Sequence, residues 1–72
     1  MALGGADRDR AYQLIHELNN SLGIVLNYTT LMGQDIEDQP GLMDDLGEIR
    51  TAGRRAAALV AELSAMLAPT RD

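Results

Sequence analysis

Cysteine is absent from the 72 residues, which excludes disulfides and thiolate metal sites and leaves the redox compartment open. Phenylalanine and tryptophan are absent too, and Tyr12 and Tyr28 are the only aromatics. The apolar residues are therefore small and aliphatic, the material of a helical bundle rather than a sandwich or barrel. There is no lysine: all six bases are arginine, against eleven acids, for a formal net charge of −5. Beyond Arg54-Arg55 the bases do not cluster, which argues against nucleic acid as a ligand. No apolar run approaches the roughly 18 residues of a membrane span. Met1–Arg10 carries charges where a signal peptide would have an apolar core. The expectation is a soluble, cytoplasmic segment without direct membrane contact, which leaves open a span elsewhere in a longer parent protein. A chain this short is one domain at most and has little core of its own, so it calls for a staple or a partner.

What the chain does have is a sustained helical period. With Ile15 at heptad position a, Ile15, Leu18, Leu22, Val25, Thr29, Met32 and Ile36 fall on a and d without a break. Gln13, His16, Asn20, Gly23, Asn27, Thr30 and Gln34 fall on b and f, the opposite side. A second period runs through Leu42, Leu46, Ile49, Gly53, Ala56, Val60, Leu63 and Leu67. Residues 1–6 read as a flexible lead-in and 69–72 as a tail. Between them the pattern predicts a hairpin over 7–68, with helices over about 7–36 and 42–67 and a turn over about 37–41. Asp7 or Asp9 is placed to cap the first helix. Pro40 suits the start of the second, whose positive end Asp44, Asp45 and Glu48 would complement. Folding about Gln39 sets Val25 against Gly53 and Leu22 against Ala56, large against small.

Two helices cannot hide this much apolar surface. Leu14, Leu26 and Tyr28 widen the arc on the first helix, and Met43, Ala52, Ala57, Leu59 and Met66 widen it on the second. Met32, Met43 and Met66 read as core filler. The fold class expected is all-α, an antiparallel helical hairpin that homodimerises into a four-helix bundle. A hairpin docked on another domain of a longer chain would also cover the arc.

The only histidine, His16, lies in the solvent-facing stripe, with Glu17 beside it and Asn20 one turn on. A zinc site of the H-E-x-x-H kind would need a second histidine where Asn20 stands, plus a further ligand. With one histidine and no cysteine the ligands run short, so no metal is expected.

His16-Glu17-Leu18-Asn19-Asn20-Ser21-Leu22, on the first of two long antiparallel helices, resembles the H-box of the dimerization and histidine phosphotransfer (DHp, HisKA-type) domain of sensor histidine kinases. The resemblance takes in the hairpin and its length, nearly all of residues 8–67. It implies that His16 accepts the γ-phosphoryl group of ATP and passes it to an aspartate of a response regulator. An imidazole is suited to this because one ring nitrogen can be an unprotonated nucleophile near neutral pH. Glu17 would hold the other ring N–H or take its proton, and Asn20 matches the family's water-positioning amide. One departure is visible: many members have proline where this chain has Ser21, so the helix is expected to run straighter past the histidine. Nothing in the 72 residues corresponds to a nucleotide-binding domain. No cofactor is therefore expected on this segment, and ATP and Mg²⁺ belong to a separate catalytic domain that would act on it.

The implied partners are a second copy, that catalytic domain, and a receiver domain. Gly23, Ile24, Asn27 and Thr30, with Arg54 and Arg55 across the hairpin, form the expected docking surface for the receiver. A bundle edge with solvated arginines accounts for the same residues without a partner. Two other readings stay open, a purely structural dimerization hairpin and a degenerate module that only binds regulators. A monomeric histidine-containing phosphotransfer domain shares the chemistry but uses more helices and does not require a dimer.

Overall fold

No proline interrupts the chain before residue 40, and alanine, leucine, arginine and glutamate recur throughout, so long helices are the local outcome. In a computed structural model, which describes residues 4–68, two helices follow one another. Helix α1 spans Gly5–Asp35 and helix α2 spans Pro40–Leu67. The expected lead-in is therefore helical from Gly5 onward, while residues 1–3 and the tail 69–72 lie outside the described residues. Gly4, extended at ψ 162°, is the N-cap of α1 and no side chain caps it, so neither Asp7 nor Asp9 takes that role. Helix α1 ends where the N–H of Ile36 donates to the Met32 carbonyl. Gln39 is extended at φ −121°, ψ 87°, as a residue before proline must be, and Pro40 opens α2 where a missing N–H costs nothing. Because α2 starts this early, its first turn holds no acid, and Asp44, Asp45 and Glu48 come too late to act on its dipole as expected. Ala68, ahead of Pro69, has turned extended at ψ 144°.

The helices pack antiparallel into a rod of 52 × 19 × 18 Å. Which strips meet differs from the expected a/d seam. On α1 the residues drawn in are Arg8, Ala11, Tyr12, Ile15, Leu22, Leu26, Thr29, Gly33 and Ile36; on α2 they are Leu46, Arg50, Gly53, Ala56, Ala57, Val60, Ser64 and Leu67. Apart from the small d residues Ala11 and Ala56, these are positions a and e. The d residues Leu18, Val25 and Met32, with Leu42, Ile49 and Leu63, keep 43–49 % of their surface exposed. The register follows suit: Leu26 meets Gly53, where a Cβ would come within 2.8 Å of Leu26 Cδ2, so Leu26 replaces Val25 in the expected large-against-small contact. Gly33 meets Leu46 in the same way at 3.5 Å. The three methionines expected in the core are all on the surface, Met66 most of all.

The seam is thin. Among the described residues only Ile15, Leu46 and Val60 are buried apolar side chains. Thr29 is buried beside them, its hydroxyl satisfied by donating to the Leu26 carbonyl at 2.7 Å. The d residues of both helices share one side of the hairpin, where they frame two apolar clefts. One, about 290 Å³, lies at the open end among Leu14, Leu18, Leu63 and neighbours. The other, about 200 Å³, lies at the turn end among Met32, Leu42, Ile49 and neighbours. Together they make a single apolar flank.

Candidate functional site

Positions b and f lie about 80–120° around α1 from the a/e seam, taking roughly 100° per residue. His16 at b and Asn20 at f therefore project away from α2 and away from the apolar flank, and both are exposed. They are separated by four residues, so one helical turn stacks the amide about 6 Å along from the imidazole. Glu17, also exposed, occupies the next position and is rotated about 100° from His16. Adjacent residues of a helix do not face each other. Among the described residues, accordingly, no hydrogen bond joins Glu17 or any other side chain to the imidazole. The carboxylate does not hold the ring tautomer in this state, as one of its two expected roles requires. It projects from the adjoining strip of the same exposed side of α1.

Such an arrangement suits transfer to an incoming ligand. A solvent-facing imidazole can be approached in line by a phosphorus centre, a neighbouring carboxylate can take the ring proton, and an amide one turn on can orient water. Among the described residues no group of histidine, cysteine, aspartate or glutamate could hold a metal ion.

The expected docking residues divide in two. Gly23, Ile24, Asn27 and Thr30 are all exposed on the back of α1, Ile24 with 60 % of its surface and Tyr28 beside it with 59 %. Thr30 is partly engaged, donating its hydroxyl to the Leu26 carbonyl at 3.2 Å. Arg54 and Arg55 are exposed on α2. The contact of Leu26 with Gly53 puts them level with Val25 and Ile24, within one residue of the level anticipated. One residue with a marked role was not singled out from sequence: Arg8, whose guanidinium crosses to the last turn of α2. Its one signal was an arginine in the first turn of a helix, where a cation opposes that helix's dipole.

Compared with known proteins, the chain matches no family model, no curated protein and no solved structure. Among the described residues no helix is long and apolar enough to cross a membrane.

Proposed function

We propose that this chain is a phosphoacceptor and dimerization domain of the two-component kind, with His16 as the acceptor. The observation that carries this reading is the exposure of His16, Glu17 and Asn20 within one turn of a face that neither α2 nor the apolar flank occupies. A catalytic domain supplying ATP and a receiver domain can then reach the imidazole while a second copy covers the flank. That second copy completes a four-helix bundle. The reading assigns Gly23, Ile24, Asn27, Thr30, Arg54 and Arg55 to the receiver contact, and places the domain in the cytoplasm. The resemblance of His16–Leu22 to the H-box supports the same assignment.

Phosphoramidate labelling tests it without any other domain. An imidazole nitrogen attacks phosphorus, the P–N bond to ammonia breaks, and the ring proton passes to Glu17. Labelling should map to His16 as an acid-labile phosphate. In Glu17→Gln it should slow by about a hundredfold, the scale of general-base assistance. Labelling no faster than that of a model histidine peptide, and indifferent to Glu17, would refute the reading. It would favour a structural hairpin, for which the apolar flank alone speaks.

A further inference from the structure

We propose that Arg8 is a latch across the open end of the hairpin, coupling the first turn of α1 to the last turn of α2. Its Nη1 donates to the Leu67 carbonyl at 2.7 Å, across 59 residues of sequence. Among the described residues it is the one side-chain hydrogen bond that joins the two helices; the others stay within α1. Leu67 ends α2, so its carbonyl has no intrahelical donor, and the negative end of the α2 dipole attracts a cation there. Arg8 is unfavourably placed for its own helix and favourably placed for its neighbour, and that mismatch marks it as a tie between elements.

What surrounds the bond makes it a latch rather than one staple among many. Beneath it the helices do not close: Ala11, Leu14, Ile15, Leu18, Leu63 and Leu67 line the open cleft. The nearest buried side chain on α1, Ile15, is two turns away. Closure of this end therefore rests on one charge-assisted bond and a few apolar contacts. Loss of this bond frees the last turn of α2 and widens the cleft. The coupling of the two ends stands whether or not His16 accepts a phosphoryl group.

Amide hydrogen exchange on the whole chain tests it, comparing Arg8→Gln with Arg10→Gln. Arg10 bonds only to Gln13 on its own helix, at 3.2 Å, and serves as the control for lost charge. Arg8→Gln should speed exchange at residues 63–68 by roughly tenfold, the ratio matching a hydrogen bond to a charged group. It should leave the stretch from Leu46 to Gly53 unchanged, and Arg10→Gln should alter neither. Unchanged exchange at the α2 end in Arg8→Gln would overturn the proposal. So would a rise spread evenly along both helices, which reports a general stabiliser and no local latch.

Discussion

Gly47 and Gly53 are both interior glycines of α2, and they sit in opposite surroundings. Around Gly47 a Cβ would meet nothing within 4 Å, whereas at Gly53 it would come within 2.8 Å of Leu26 Cδ2. Alanine gains about 1 kcal/mol over glycine inside a helix from propensity alone. Gly47→Ala should therefore raise stability by about that amount in urea unfolding. Gly53→Ala carries the same gain but forces Leu26 aside, and overpacking typically costs about 1–3 kcal/mol. The net effect should be a loss, and pairing it with Leu26→Ala should show strong non-additivity, because the second change removes the clash. Equal gains at both glycines would mean that the helices do not approach closely here. At the same scale, the exposure of His16 and Asn20 was legible in the sequence, since b and f avoid the seam whether it runs along a/d or a/e. The separation of Glu17 from the imidazole follows from adjacency on a helix, so its expected grip on the ring N–H conflicted with the same period that placed the histidine.

For the helices, the lesson lies in rotation. The hairpin and its turn were readable from Pro40 and from the change of period around it, but each helix is turned by about 50° from the expected seam at roughly 100° per residue. The reason is the width of the apolar arc, which runs from g through d and a to e. Two helices can bury only one strip of such an arc, and periodicity alone does not say which. Gly33 and Ala57 at e favour the a/e strips here, because with Gly53 at a their small side chains let those strips approach closely. Arg8 was illegible for a related reason: its partner is fixed only once the turn sets the relative height of two helix ends. The rotation yields a sharp test of the proposed bundle. Leu18 and Ile49 flank the exposed clefts, while Ile24 lies on the back of α1. Leu18→Asp or Ile49→Asp should weaken self-association by about a hundredfold in Kd, since burying each aliphatic is worth about 1.5 kcal/mol and a two-fold interface counts it twice. Ile24→Asp should leave association unchanged in sedimentation equilibrium. Equal effects from all three would mean that the apolar flank is not the specific contact.

Across the whole molecule, the accessible surface is 5767 Å² for a mass of 7.8 kDa. A compact monomer of that mass exposes about 4,400 Å². Such a rod exposes more surface than a compact monomer, and one flank of it is apolar along both clefts. With three buried aliphatic side chains among the described residues, the single hairpin has little to set against the entropy of ordering two long helices. Folding and association should then be one event. In that case the unfolding temperature depends on concentration, because dilution favours the separated, unfolded chains. A tenfold increase in concentration should raise Tm by about 3–5 °C, with helicity and oligomeric mass lost together. A hairpin stable by itself would melt at a fixed temperature whatever the concentration. That outcome would remove the need for a second copy and leave the apolar flank open to a different occupant.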